Sequence, residues 1–513
     1  MTGSEPLPPP PPEAPTDQWK RVHIISPLVR GWIALAALIF FGGRDWFEGF
    51  LIGDSRGFRG DGPGNLTLAI AVVLGVVLLI AAGFFLSWYY TRYQVTEEHV
   101  RVNSGVIFRQ HRQARLDRVQ AIDVVQPFLA RVFGLAELKF DVADAGESAV
   151  RLAFLKLDEA QRLRATILAR AAGVAVDPEH PQDIPEAPER EVLSLTPARV
   201  LGAAALSGNT VAVLLGLVGV VLFAVVLDTG ALLAGFVPIL IGVIGGYWNV
   251  LNTGFNFRAA ISPDGIRIRY GLLDTRTQTV PPGRVQAVGV VQSPLWRLKG
   301  WYKVTVNVAG YGASASGEAQ ARATLLPVGT LDEVLRVIAL VLPDPGTDTP
   351  VDVFSAGLAG KGPDAGFRTT PRRARLIAPL AWRRNGVAVT RTALLARSGA
   401  WWRQLAVVPH ERTQSLALHQ GPLARRFGVA DLVFHTTPGP VSPRVRQVAE
   451  EDAWRLFSEQ AERAAEARRR SGPEQWMRPV TVEGPAGDPG TASEAPVMLP
   501  PPSYQEGSAH ERF

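Results

Sequence analysis

Arginines and glutamines at a fixed spacing are the residues of this chain best suited to chemistry. Arg118, Arg284 and Arg412 are each followed two residues on by Gln120, Gln286 and Gln414, and six beyond those by Gln126, Gln292 and Gln420. A guanidinium fork reads phosphate or carboxylate, and a carboxamide donates and accepts at once. Two readings follow: a site for an acidic headgroup or a partner's backbone, or polar residues that fasten a turn or a β-edge. These nine are therefore candidate binding or fold-defining residues. A second basic group, Arg101, Arg109, Arg112 and Arg115, follows a long apolar run. It is the candidate for contact with anionic lipid, and it serves equally well to orient a membrane segment.

Other chemistry is excluded or unsupported. There is no cysteine, so thiolate metal sites, disulfides and cysteine nucleophiles are impossible. The eight histidines include His410, His419 and His435 in one C-terminal stretch, yet none has the spacing of a short ligand pair. No nucleophile elbow, phosphate loop or paired-histidine motif occurs. The expectation is a protein that is not an enzyme, with no catalytic residue, no metal and no cofactor. Six of the 53 basic residues are lysine, a bias that fits a GC-rich genome as readily as selection for phosphate forks.

The arginines and glutamines sit inside an internal repeat. Residues 95–140, 261–306 and 389–434 align without a gap. Gly105, Gly271 and Gly399 coincide, as do Gly134, Gly300 and Gly428, and Leu129, Leu295 and Leu423 precede Arg131, Arg297 and Arg425. The shared glycines predict turns. Alternation at Leu138, Phe140 and Val142, and at Val304, Val306 and Val308, predicts strands with one buried and one open face. Each copy closes on an amphipathic helix. The apolar positions are Ala160, Leu163 and Ile167; Leu331, Val334, Leu335 and Ile338; and Trp454, Phe457 and Ala461.

Hydropathy predicts four membrane spans, at about 24–43, 66–88, 200–227 and 231–250. Lys20, Arg21 and Arg30 precede the first, Arg92 and Arg101 follow the second, and Arg199 and Arg258 flank the last two. That asymmetry places both termini and the repeats in the cytoplasm. The spans carry no interior ionisable residue except the marginal Arg30, which disfavours a transporter or pore.

The stretches RVQAIDVVQPFLARVFG and HERTQSLALHQGPLARRFGVADLVFHTTPGP resemble the bacterial pleckstrin-homology-like (PH-like) membrane-flanked domain family, in its long YdbT-like members. The resemblance covers roughly residues 20–465. It implies PH-like β domains, often with a shorter two-span relative as neighbour, and a setting in envelope stress or antimicrobial resistance. It supplies no catalytic residues.

The expected fold class is a mixed membrane protein. Four transmembrane α-helices in two hairpins carry three PH-like β-barrel or curled-sheet domains, each capped by a C-terminal helix. The expected layout is a Pro-rich disordered tail at 1–18, hairpin one at 24–90, domain one at 91–172 and a linker at 173–198. Hairpin two follows at 199–252, domain two at 253–343, a linker at 344–366, domain three at 367–470 without its own pair of spans, and a disordered tail at 471–513. The expected function is a multi-pass scaffold or interaction protein of the bacterial plasma membrane. The alternative is a binder of anionic headgroups. Expected partners are the membrane, the shorter relative or a second copy of the chain, with no nucleic acid.

Overall fold

A computed structural model describes residues 19–26, 29, 63–96, 99–105, 109–115, 119–142, 150–171, 190–227, 232–262, 265–280, 282–309 and 321–470. These lie in one compact unit, Met1–Trp476; the second unit, Met477–Phe513, falls outside the described residues. So do the tail at 1–18, most of the first expected span and residues 173–189 of the first expected linker.

Three modules follow one another. The first holds β1 (Lys20–Arg21), α1 (Pro63–Tyr90), β2 (Arg92–Val95), β3 (His99–Ser104), β4 (Gln110–Arg115), β5 (Val119–Gln126), α2 (Phe128–Val132), β6 (Leu135–Val142), β7 (Val150–Lys156) and α3 (Leu157–Ala171). The second has β8 (Arg190–Ser194), α4 (Pro197–Ala205), α5 (Gly208–Leu227), α6 (Leu232–Gly254), β9 (Arg258–Ser262), β10 (Gly265–Tyr270), β11 (Thr275–Val280), β12 (Val285–Gln292), β13 (Tyr302–Val308), β14 (Thr324–Gly329) and α7 (Leu331–Val341). The third has α8 (Pro350–Leu358), β15 (Arg368–Thr369), β16 (Gly386–Val389), β17 (Ala393–Ser398), β18 (Arg403–Pro409), β19 (Ser415–His419), α9 (Pro422–Arg426), β20 (Val429–His435), β21 (Arg444–Ala449) and α10 (Glu450–Arg470).

Every module has the same plan: a four-stranded antiparallel half, a three-stranded antiparallel half, and a helix packed on the latter. The hairpin turns that end β10 and β17 need glycine. Gly271 has φ 138° and Gly399 φ 85°, and a Cβ would lie 1.7 Å from the Asp274 carbonyl oxygen and 1.9 Å from that of Trp402.

The halves do not remain within their modules. The strand order β7-β6-β5-β11-β10-β9-β8 joins the second half of module one to the first half of module two. The order β14-β13-β12-β18-β17-β16-β15 joins modules two and three in the same way. At the first junction Gln126, Val125 and Val124 stand opposite Thr275, Arg276 and Thr277. At the second, Gln292, Val291 and Val290 stand opposite Arg403, Gln404 and Leu405. In the frame of the repeat these are the same pairs. One hydrophobic core runs through the second junction, from Val288 and Val290 to Leu405 and Val407.

Along β13 the expected alternation runs from Tyr302 to Val306 and stops at Asn307, where module three covers the other face. Almost all of β12 is buried on both faces. Asn307, on the face opposite Val306, is 1% exposed. Its amide donates to the Val441 carbonyl at 2.7 Å and accepts from the Val441 N–H at 2.9 Å, clamping the β20–β21 loop of module three onto β13. The face of α10 also differs from expectation. The buried stripe is Ala453, Leu456, Gln460 and Ala464, whereas Trp454 is 54% exposed.

The expectation of four membrane-spanning helices is overturned. Among the described residues no single helix is long and apolar enough to cross a membrane. Only a bent pair, Pro197–Ala205 with Gly208–Gly219, meets the requirement together, across a 41° break. The physical reason is visible at α4. Val200, Ala203 and Ala204 are buried in the module core, and the Trp296 indole N–H donates to the Ala203 carbonyl at 3.0 Å. The apolar run that hydropathy joins into one span is in part core. Most of the first expected span, and the side chains of the first turns of α1, lie outside the described residues.

The helical segments are also inserted within modules. β1 pairs with β2 across α1, β8 with β9 across α4–α6, and β15 with β16 across residues 370–385. Both expected linkers contribute structure: 173–198 contains β8, and 344–366 contains α8, where Val353, Phe354 and Leu358 are buried.

The junction register is directly testable, since the chain has no native cysteine. Val291→Cys with Gln404→Cys should oxidise to an intramolecular disulfide, opposed Cβ atoms of antiparallel strands being ~5 Å apart. Val291→Cys with Leu405→Cys, whose side chains project to opposite faces, should remain reduced in a non-reducing gel-shift assay.

Candidate functional site

The second glutamine of each set has one role in all three modules. Gln126 Nε2 donates to the Leu135 carbonyl at 3.1 Å, Gln292 to Trp301 at 3.3 Å and Gln420 to Val429 at 3.3 Å. Each bond closes the loop that leaves β5, β12 or β19, makes one short helical turn and returns through a left-handed glycine. Gly134, Gly300 and Gly428 have φ of 65°, 63° and 57°. The side chain satisfies a carbonyl at a strand start, which is architecture. At the second junction Gln292 also accepts from Arg403 Nη1 of the next module, at 3.4 Å.

The Arg-x-Gln pairs lie where the chain crosses between halves. Arg284 ends a helical turn, Pro282–Arg284, and its carbonyl accepts from the buried Gln286 side chain at 3.4 Å and from the Ala309 N–H at 3.0 Å. Arg412 ends the matching turn, His410–Arg412, with Nε 3.9 Å from Glu411 Oε1. Gln414 is exposed and uses its backbone N–H on the His435 carbonyl at 2.9 Å. Arg118 lies outside the described residues, and Gln120 is placed only as part of β5. Arg284 and Arg412 occupy equivalent turns in separate modules, so the described sets do not converge on one pocket.

Of the candidate lipid contacts, Arg101 is on β3, Arg109 immediately precedes β4, and Arg112 and Arg115 are on β4; all four are exposed. Arg112 donates to Gln110 Oε1 at 3.1 Å. Among the described residues no histidine, aspartate or glutamate group forms a metal cage. A groove of about 660 Å³ lies in module three between Gly346–Thr349, β16 and α10. Of its charges, Arg391 pairs with Asp348 at 3.2 Å and Arg463 with Glu459 at 2.9 Å, and Arg368 and Asp452 also line it.

Sequence reasoning passed over two buried cations, Arg384 and Arg397. Arg397 is fully buried. It donates to the carbonyls of Arg384 at 3.0 Å, Ala356 at 2.9 Å and Gly362, and its guanidinium lies 4.2 Å from the Phe367 ring centre. Arg384 donates to Gly360 at 2.7 Å and to Gly357 and Leu358 at 2.8 Å each. The two cations cap α8: Arg384 serves the Gly357 and Leu358 carbonyls, and Arg397 adds a donor to Ala356, which also accepts from the Gly360 N–H at 3.0 Å. Burial is the main cause that lowers Arg384 to about 9, with Arg403 and Arg397 adding repulsion, and burial lowers Arg397 to about 10. No periodicity marks them. Arg397 stands on a strand as an ordinary polar position would.

His410, 2% exposed, begins the turn that carries Arg412. Its Nε2–H donates to the Thr390 carbonyl at 3.0 Å, and Nδ1 accepts from Gln460 Nε2 at 2.8 Å, so the neutral tautomer is fully satisfied. Burial holds its pKa below the ordinary histidine value, Arg463 adding to the effect against weaker opposition from the Thr390 carbonyl and Glu411.

Two outcomes follow. Arg397→Ala should destabilise the protein by on the order of 3 kcal/mol, because several buried carbonyls lose a donor, and Arg397→Lys should not restore it. Gln292→Ala should cost only about 1 kcal/mol in the same denaturation assay. The second concerns pH. The neutral form of His410 is favoured by the fold, so stability is complete above about pH 6.5 and declines as pH falls toward the lower folded-state pKa. His410→Gln should flatten that part of a Tm-versus-pH profile.

Comparison with known proteins agrees with this plan. The family profile described as bacterial PH domain matches residues 37–171, 200–341 and 365–464, one match for each module. The UPF0699 transmembrane protein YdbT of Bacillus subtilis (strain 168) is 22% identical over 277 residues, 47% of this chain and 54% of the relative. The chain thus spans about half the length of that relative. With three matching segments that together cover well over half of its length, the chain belongs to the bacterial PH domain family.

Proposed function

We propose that this protein is a membrane-associated scaffold in which three PH-like modules form one body against the bilayer. The observation that carries the reading is the exposure of apolar side chains at one recurring point of the fold, between the first and second strands of each module. In module one that point bears α1, with Leu78 62% and Leu79 75% exposed. In module two it bears α5, with Leu215 68% and Leu222 62% exposed. In module three it bears the 370–385 segment, with Leu376 78% and Leu380 66% exposed.

Soluble monomers rarely leave such apolar area in water, at a cost of roughly 25 cal/mol per Å². Lipid contact removes that cost. Arg372, Arg373, Arg375 and Arg383 flank the third site, suited to headgroup phosphates. The relative's designation as a transmembrane protein supports the same setting. The flanking basic residues favour the cytoplasmic face of a bacterial plasma membrane. The modules then act by holding partners, such as a shorter relative, and the reading needs no catalytic step.

A second reading, recognition of anionic headgroups, draws on the exposed Arg101, Arg109, Arg112 and Arg115. Salt separates the two. The full chain should stay with membranes through a high-salt wash, whereas Leu215→Asp with Leu222→Asp should lower retention, because a charge is costly to take out of water. Release by salt alone would overturn the proposal in favour of headgroup electrostatics. In addition, a fluorophore on Leu376→Cys should shift to the blue when vesicles are added.

A further inference from the structure

The internal junctions leave two strand edges that match each other. β5 is covered by β11, and β12 by β18, in one register. The counterpart of β11 and β18 in module one is β4, which is an edge of its sheet among the described residues. The counterpart of β5 and β12 in module three is β19, an edge of the last sheet. Among the described residues, module one thus presents an open acceptor strand and module three an open donor strand of a junction made twice internally.

Burial shows the same vacancy at both ends. Val288 and Val290 on β12 are 2% and 0% exposed, whereas their counterparts Leu416 and Leu418 on β19 are only half-buried. Gln278 and Val407, on the covered strands β11 and β18, are 1% exposed each. On β4 the corresponding Arg112 and Gln113 are exposed. Polar pairing is reproduced as well. Arg403 donates to Gln292 across the second junction, and the residues at those two positions on the open edges are Arg109 and Gln420. The helical turn after the glutamine reaches the next module's hairpin at both junctions, through the Phe128 N–H to Asp274 and through Arg297 to the carbonyls of Ala400 and Trp401. Arg425 stands in the place of Arg297 on the open end.

We infer that chains associate head to tail, β19 of one copy pairing antiparallel with β4 of the next in the register of the internal junctions. Gln420 then stands opposite Arg109, His419 opposite Gln110 and Leu418 opposite His111. The edges are different surfaces, so the contact is heterologous and builds rings or open chains, not a two-fold dimer. The inference deepens the scaffold reading and does not need its lipid half.

The test uses full-length protein in its own membranes. Gln110→Cys and His419→Cys, the counterparts of Gln404 and Val291, are introduced into one chain, which is then oxidised and run on a non-reducing gel. The in-register variant should give dimers and a ladder, about tenfold more than His111→Cys with His419→Cys, whose side chains point to opposite faces. Equal yields from the two variants, monomers only, or a disulfide closing within one chain would overturn it. Unmodified protein gives an independent readout: in mild detergent its mass should exceed that of a single chain, and a monodisperse single chain would also overturn it. Crosslinks that fail while the chain stays with membranes reject this inference alone. Crosslinks that persist while salt releases the chain reject only the membrane reading.

Discussion

Every backbone donor and acceptor on a buried strand edge must find a partner, and here the partners lie in the next module. A three-stranded sheet with a helix on one face is near the lower limit of what stands alone, and it still carries open edges. Pairing β5 with β11 and β12 with β18 removes one such edge, and at the second junction one core runs through both modules. Much else follows from this constraint. The second face of β12 becomes buried, Asn307 is enclosed by a foreign loop, and Arg297 reaches across to a neighbouring hairpin. The modules share sheets, so their order along the chain is also their order in space.

The same constraint explains why the repeated polar residues are architectural. A module can accept its neighbour only if the loop leaving the junction strand turns at a fixed place. Gln126, Gln292 and Gln420 secure that turn with one hydrogen bond apiece, and Gly134, Gly300 and Gly428 supply its left-handed residue. Module three meets a further demand. Lacking apolar helices between its first two strands, it is secured by α8, whose terminal carbonyls are held by Arg384 and Arg397. Those two cations are buried because their donors have backbone oxygens to meet, not because they face a ligand.

Much of the module was legible in the sequence, because its signals are local. Alternation at Leu138 and Phe140, the shared glycines and the closing helices all arise from neighbours within a few residues. The pairing of β12 with β18 was not legible, since strands of unlike sequence far apart in the chain share no local signal. The apolar run from Val200 was misread for a related reason: hydropathy records a preference to leave water and does not distinguish a core from a bilayer. Val200 and Ala203 chose the core, and the helix bends after them. On α10 the stripe slipped by one position because Ala453 and Gln460, weakly marked by hydropathy, face inward while Trp454 does not. Arg397 was missed because a buried cation and a solvated one look alike until the carbonyls around it are known.

The central claim is that neighbouring modules are one hydrogen-bonded sheet and not beads on a string. Amide hydrogen exchange on the intact protein tests it most directly. The account predicts that the amides of Val288–Gln292 and Arg403–Val407, opposite one another in the register, exchange slowly and together, through the same opening event. Fast exchange along β18 while β12 and β13 stay protected would mean that the modules fold side by side without sharing a sheet, and would contradict it.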